Sequence, residues 1–436
     1  MALSGIQIYK MLPQTNCKEC GFPTCLAFAM KLAAKQVELN ACPYVSEESK
    51  KQLAESAAPP IRLVALKAGT EVKAGNEVVM FRHEKTFYNK PGIFIRVKAS
   101  DPDLAKKVAA ADAYKVNYVG MDFTVDGYAV IADADLASAV KTIRSVSKRP
   151  LILMGDKAAL QSGLSACIGE TPLLCTTEPS ITDELIDLAK TSKSALAVKA
   201  DTLDGLADLT QKIQAKGVED LVLDLGGKNL AEWLARSTQV RRLALKSNFR
   251  PLGFPVIAFP CDAKDEGVAA VQAIAKYAGF VVLSEFKPEL LYPLLVLREN
   301  IYTDPQKPIQ VQPGIYEINS PKPESPVLVT TNFSITYFSV ANEVEGAGLP
   351  AWLVVTDAEG MSVLTAWAAG KFDAERIAKA IKGFDISSKV SKKRLVLPGH
   401  VAVLSGELEA ELPDWEIRVG PREAVDLPAF IKQALN

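Results

Sequence analysis

The chain has 436 residues, 48% of them hydrophobic and 23% charged, with a formal net charge of −1. That length supports two or three domains with cores of their own, and the balanced charge leaves no basic surface for nucleic acid. No apolar run is long enough to span a membrane, and Met1 to Pro13 lacks the apolar stretch of a signal peptide, so a cytoplasmic protein is expected.

Four of the seven cysteines fall within residues 17–42. The motif reads Asn16-Cys17-Lys18-Glu19-Cys20-Gly21-Phe22-Pro23-Thr24-Cys25, then Ala41-Cys42-Pro43, a Cys-x2-Cys-x4-Cys-x16-Cys spacing. Thiols clustered this closely point to metal in a reducing compartment rather than to a disulfide scaffold. Three near thiolates can cap one face of a 4Fe–4S cubane, and a distant fourth completes it. Gly21 permits a tight turn between ligands. Thr24 is a good N-cap for a helix expected over Cys25–Glu38, whose positive end would face the anionic sulfurs. A four-cysteine zinc site is the alternative, although zinc knuckles usually come as two Cys-x2-Cys halves. Cys167, Cys175 and Cys261 read as core residues.

Prolines divide the rest. Ala57-Ala58-Pro59-Pro60 reads as a break, and Thr303 to Pro326, with Pro305, Pro308, Pro313, Pro321, Pro323 and Pro326, reads as a linker. Residues 61–91 suggest short strands at Ile61–Leu66 and Glu77–Phe81. Beyond them, apolar runs at Ile93–Val97, Tyr128–Ile131, Leu151–Met154, Leu173–Thr176, Ala195–Val198, Leu221–Leu225, Val256–Phe259 and Phe280–Leu283 alternate with helical stretches. Leu104–Ala113, Leu136–Val146, Asp183–Lys190 and Val268–Ala278 are among the latter. Strands apolar on both faces, each followed by a helix, predict a parallel sheet closed into a (β/α)8 TIM barrel, with a doubly wound sheet as the fallback. Lys199, Asp224 and Cys261 lie at predicted strand ends, but no acid–base constellation surrounds them, which favours a scaffold.

Residues 326–436 repeat the pattern on a smaller scale. Strands are expected at Pro326–Thr330, Trp352–Thr356, Leu395–Leu397 and Trp415–Val419, with helices at Phe333–Val344, Ala374–Lys382 and Leu427–Ala434. An open α/β domain of this kind binds ligands at the C-terminal ends of its strands. The loops there begin Thr331-Asn332, Thr356-Asp357, Pro398-Gly399 and Gly420-Pro421. The domain plan is therefore 1–58, cluster domain; 59–91, β-connection; 92–303, barrel; 304–325, linker; 326–436, α/β domain.

The cysteine motif together with this module order resembles the large (gamma) subunits of corrinoid iron–sulfur proteins, in the CO dehydrogenase/acetyl-CoA synthase (acetyl-CoA decarbonylase/synthase) system. The resemblance spans essentially the whole chain. It implies a methyl carrier of the reductive acetyl-CoA pathway, a methyltransferase component acting within a complex. Cobalt(I) of a bound cobamide would accept methyl from a methyl-tetrahydropterin through a methyltransferase and pass it to acetyl-CoA synthase/CO dehydrogenase. A 4Fe–4S cluster on Cys17, Cys20, Cys25 and Cys42 would reduce stray cobalt(II), fed by a low-potential electron donor. A smaller subunit would complete a heterodimer, and the C-terminal domain would be a Rossmann-like corrinoid-binding fold. The corrin is broad and flat, so small residues in the strand-end loops are the candidate contacts. These are Thr331, Asn332, Thr336, Gly360, Met361, Ser362, Val363, Leu364, Thr365, Gly399, Val401, Gly420 and Ala424. Trp352 and Trp367 read as core. Neither His83 nor His400 sits in the Asp-x-His-x-x-Gly motif that supplies an axial imidazole in other cobamide proteins, and both read as surface or loop residues. The alternative function is an electron-transfer protein whose C-terminal domain binds a flavin or only a protein partner.

Overall fold

A computed structural model describes residues 4–34, 36–50, 53, 59–304 and 309–434. Ala57, Ala58, Pro305 and Pro308, named in the expected linkers, lie outside these residues. The chain divides into two compact units, residues 1–114 with 124–302, and residues 115–123 with 303–436.

The first unit opens with the helices Gly5–Met11 and Cys25–Ala33. Ile8, Leu12, Phe28, Ala29, Val45 and Leu53 pack into a small core that also takes in Cys25 and Cys42. The second helix stops at Ala33, short of the expected Glu38. Glu38 is extended and opens the 3-10 turn Leu39–Ala41, which carries the chain to Cys42.

Strands β1 (Val64–Lys67) and β2 (Glu71–Ala74) form an antiparallel hairpin. The expected strand at Glu77–Phe81 is absent. The buried Glu77 carboxylate instead accepts the N–H groups of Tyr88 (2.8 Å) and Asn89 (3.3 Å) and faces the Arg241 guanidinium at 3.3 Å. Arg241 also stacks over Phe87 and Tyr277. A buried charge needs all of these partners, and the local chain bends to supply them.

Next in order come β3 (Gly92–Lys98), the short hairpin β4 (Val116–Tyr118) and β5 (Met121–Phe123), and then β6 (Gly127–Ile131), β7 (Leu151–Gly155), β8 (Leu173–Thr176), β9 (Ala195–Lys199), β10 (Leu221–Asp224), β11 (Val256–Ala258) and β12 (Ala278–Leu283). β3 and β6–β12 close into an eight-stranded barrel in chain order, parallel throughout. All eight sequence-predicted strands fall in it. Its interior is filled with side chains. The edge-on rings of Phe94 and Phe280 (centroids 6.1 Å apart) pack there with the small Ala129, Ala195 and Ala197. Gly127 is required by that crowding, since a Cβ there would lie 2.4 Å from the Phe94 ring. Val64, Leu66, Val72 and Ala74 of the β1–β2 hairpin join the same core. The helix expected to Ala278 ends at Ala275, because Tyr277 turns left-handed (φ 80°) to start β12.

The second unit is built on β13 (Gly314–Ile318), β14 (Val327–Thr331), β15 (Ala351–Thr356), β16 (Arg394–Leu397) and β17 (Glu416–Val419), in the spatial order β13-β15-β14-β16-β17. β13 is an antiparallel edge, and the other four are parallel. It lies inside the proline-rich stretch read as linker. Pro313 ends just before it and Pro321 follows it, so the prolines flank the strand without costing it a donor. One face of the sheet packs on the helices Ser334–Gly346 and Leu427–Ala434, the other on Val363–Ala368, Ala374–Gly383 and Ser405–Glu411. The β4–β5 hairpin belongs here too. Val119 joins the core of Val311, Leu328 and Val344, and its carbonyl accepts the Gln312 N–H at 3.1 Å.

Candidate functional site

Two places gather chemistry-bearing residues. The first is the loop between the two N-terminal helices. Gln14, Asn16, Lys18 and Gly21 all take left-handed backbone (φ 58°, 50°, 65° and 82°), which coils the segment tightly. Asn16 anchors it. Its Oδ1 accepts the Cys25 N–H at 2.8 Å, and its own N–H donates to Cys25 Sγ at 3.4 Å. Thr24 caps the Cys25 helix through Ala27 N–H, so the positive helix end lies at Cys25. Cys25 and Cys42 are buried, Cys20 is half-buried and Cys17 is exposed, and all four are free thiols. Tyr44 donates to Glu19 at 2.8 Å and feels both Cys17 and Cys42; the hydrogen bond to the Glu19 carboxylate raises its phenol above the usual value. Among the described residues, no three His, Cys, Asp or Glu side chains converge on a single metal ion.

The second place is a cleft of about 480 Å³ in the other unit. β14 is followed in the chain by β15 on one side, while β16 pairs on its other side, so strand order reverses between β14 and β16. Such a reversal leaves a crevice at the strands' C-terminal ends. The cleft lies there, floored by Leu328, Val329, Thr330, Val396 and Leu397. Its walls come from the helix Ser334–Gly346, the Ser362–Leu364 turn, Pro398, His400 and the segment 420–425. Ile335, Leu364 and Val425 line it yet are 66%, 46% and 65% exposed, giving the mouth an apolar rim. Gly399 and Gly420 let two wall segments meet backbone to backbone, and a Cβ on Gly399 would lie 2.5 Å from the Gly420 carbonyl oxygen. Thr330, 1% exposed, has no hydrogen-bond partner for its hydroxyl, and neither does Thr331 beside it.

Of the residues singled out from sequence, Thr336, Ser362, Val363, Leu364, Gly420 and Ala424 line the cleft, and Thr331, Asn332, Gly360, Met361, Thr365, Gly399 and Val401 do not. Val401 is core, Thr365 pairs with the Ser362 hydroxyl at 3.0 Å, and Asn332 is buried with both backbone and side-chain hydrogen-bond partners. The sequence reading missed Ile335, Ser339, Val340 and Glu343, one face of a helix whose i, i+4 spacing was visible but whose orientation was not. It also missed Arg422, Glu423 and His400, whose Nε2 stands 3.8 Å from Glu423.

At the barrel's strand ends, Lys199 and Asp224 form an ion pair at 3.5 Å, and Asp224 also accepts the Gly226 N–H at 2.9 Å. Burial pushes the Cys261 thiol up to about 12, so it stays protonated and a poor nucleophile.

A family model described as CO dehydrogenase/acetyl-CoA synthase delta subunit matches residues 64–431, and one described as an Fe-S cluster matches residues 12–44. The corrinoid/iron-sulfur protein large subunit of Moorella thermoacetica is 44% identical over 100% of both chains. This chain belongs to the corrinoid/iron-sulfur protein large-subunit family. The acetyl-CoA decarbonylase/synthase complex subunit gamma of Methanopyrus kandleri, a more distant relative, is 32% identical over 99% of this chain and 98% of its own. A dihydropteroate synthase from Thermus thermophilus aligns with 49% of this chain and 95% of its own, at 16% identity and a TM-score of 0.35, too loosely to bear on function. The family's alignment runs through both the cysteine loop and the cleft. No helix among the described residues is long and apolar enough to cross a membrane.

Proposed function

We propose that this chain is a methyl carrier of the reductive acetyl-CoA pathway, holding a cobamide in the C-terminal cleft and a 4Fe–4S cluster on Cys17, Cys20, Cys25 and Cys42. The observation that carries the reading is a cleft with an exposed apolar rim at the strand-order reversal, in a chain whose N-terminal segment also carries four free thiols. When bound, the cobamide supplies a cobalt centre that takes up and releases methyl, and the cluster supplies the electron that restores its reduced form.

The residues fit both groups. At the cleft's mouth the exposed Ile335, Leu364 and Val425 offer apolar area for a flat corrin. The buried, unpartnered Thr330 hydroxyl leaves a polar atom for the ligand. Thr336, Ser362, Val363, Leu364, Gly420 and Ala424 are the contacts we favour. In the cysteine loop, Asn16 fixes Cys25 and supplies an N–H to its sulfur, and the helix beginning there favours thiolate charge. We read residues 1–58 as the cluster domain, 59–91 as a connection, 92–303 as a barrel scaffold, 304–325 as a second connection and 326–436 as a Rossmann-like corrinoid domain. A smaller subunit, a pterin-dependent methyltransferase, acetyl-CoA synthase/CO dehydrogenase and a low-potential electron donor are the proposed partners, in the cytoplasm. The chain acts as a carrier within that complex rather than as a free-standing enzyme.

Iron, cobalt and flavin analysis of the anaerobically purified complex tests this. Cobalt near one per chain with iron matching one cubane is expected, and Cys20→Ala should lose iron while keeping cobalt. Flavin or iron without cobalt, from cells that make cobamides, would overturn the reading in favour of electron transfer alone.

A further inference from the structure

Asn332 is 1% exposed, and its side chain makes four hydrogen bonds. Oδ1 accepts the N–H groups of Ala358 and Gly360, both at 2.9 Å, which fills both lone pairs. Nδ2 donates to Asp357 Oδ1 at 3.1 Å and to Gln310 Oε1 at 3.3 Å. One amide just past β14 thus holds the loop after β15. Asp357 Oδ1 binds the Glu359 N–H at 3.0 Å as well, so the turn is pinned from both sides. Gly360 is left-handed (φ 73°), and the Gln310 side chain packs where its Cβ would be, at 2.7 Å. Two residues further on begins Ser362–Leu364, one wall of the cleft.

We propose that Asn332 is a positioning residue, a latch that sets this wall and thereby governs how long the cleft keeps its ligand. The proposal rests on the cobamide reading above. The latch does not touch the cleft. It acts by fixing the backbone at residues 357–360, from which Ser362, Val363 and Leu364 project. Its donor and acceptor pattern is directional, because only a group that both accepts two N–H groups and donates to the Asp357 carboxylate can replace it.

That directionality gives the test. Asn332→Asp keeps shape and acceptors but sets a carboxylate against Asp357. Asp357→Asn can restore a donor from the other side by turning its NH2 toward residue 332, at the expense of the Glu359 N–H that the same Oδ1 now accepts, and the Gln310 amide can turn to donate. The full chain, loaded with cobamide and with its sheet intact by circular dichroism, is followed for release into a cobamide scavenger well below the melting transition. Asn332→Asp should release cobamide about thirtyfold faster than wild type, the scale of leaving buried hydrogen-bonding groups mispaired. The double variant should release several-fold more slowly than the single, short of full rescue because the Glu359 N–H loses its acceptor, since contacting sites couple. Wild-type release from Asn332→Asp, or a double variant as fast as the single, would overturn the latch. Amide exchange at residues 358–364 keeps the two readings apart. If wild type binds no cobamide, the cofactor reading falls, while faster exchange in Asn332→Asp still supports the latch and unchanged exchange overturns it.

Discussion

Gly399→Ala is the most direct probe of the cleft. A Cβ built on Gly399 lies 2.5 Å from the Gly420 oxygen, 2.7 Å from the Pro421 carbonyl carbon and 2.8 Å from the Pro421 oxygen. All three are backbone atoms, so no rotamer change relieves the clash. A carbon–oxygen contact needs about 3.3 Å, which forces the two wall segments apart by roughly 0.8 Å. The Gly399 N–H bond to the Pro421 oxygen, now 3.0 Å, would stretch out of hydrogen-bonding range. Its loss costs about 1 kcal/mol, and the overpacking about 1–3 kcal/mol more. A total near 3 kcal/mol lowers the melting temperature by roughly 10 °C in a unit of this size. The assay is thermal unfolding of the purified chain, paired with cobamide retained after gel filtration. Gly346→Ala is the control, because a Cβ there meets nothing within 4 Å. If Gly399→Ala melts and retains cobamide like Gly346→Ala, backbone contact does not shape the cleft.

Two further outcomes are expected. Arg241→Ala should destabilise the barrel unit by about 3–5 kcal/mol, because it strands the buried Glu77 carboxylate; a urea midpoint shift worth under about 1 kcal/mol would mean the pair is effectively solvated. In iron-free native protein at neutral to mildly alkaline pH, iodoacetamide should label the exposed Cys17 and spare Cys167 and Cys261. Burial raises both of those thiols to about 12, so their thiolate, and hence their reactivity, appears only as pH climbs toward that value. Mass spectrometry showing Cys261 labelled as fast as Cys17 would contradict the burial.

Most of the barrel was legible because strands buried on both faces read as unbroken apolar runs, such as Leu151-Ile152-Leu153-Met154. The β4–β5 hairpin was not, since Val116-Asn117-Tyr118 and Met121-Asp122-Phe123 are too short and too polar to stand out from a helix–strand loop. β13 was hidden by its flanking prolines, which signal extended chain whether or not a partner strand exists. In the cleft, strand-end loops could be placed from sequence, so Ser362–Leu364 and Gly420 were found. His400 and Arg422 were passed over because their role depends on which segments the sheet brings face to face, a tertiary fact with no local pattern. Asn332 stands out in the sequence by its place at a strand end, but its neighbours there do not reveal that Ala358 and Gly360 are its partners.

The β4–β5 hairpin has a further consequence. Because residues 115–123 fold with 303–436, the chain passes between the two units at three points rather than one. A recombination event that moved residues 303–436 alone into another gene would leave behind Tyr118, Val119 and Met121, which pack in that unit's core. The donor would carry an orphaned apolar hairpin, and the recipient a core with a hole beside Val311 and Leu328. Barrel and cleft are therefore stitched into one heritable piece, and they would be expected to travel through evolution together.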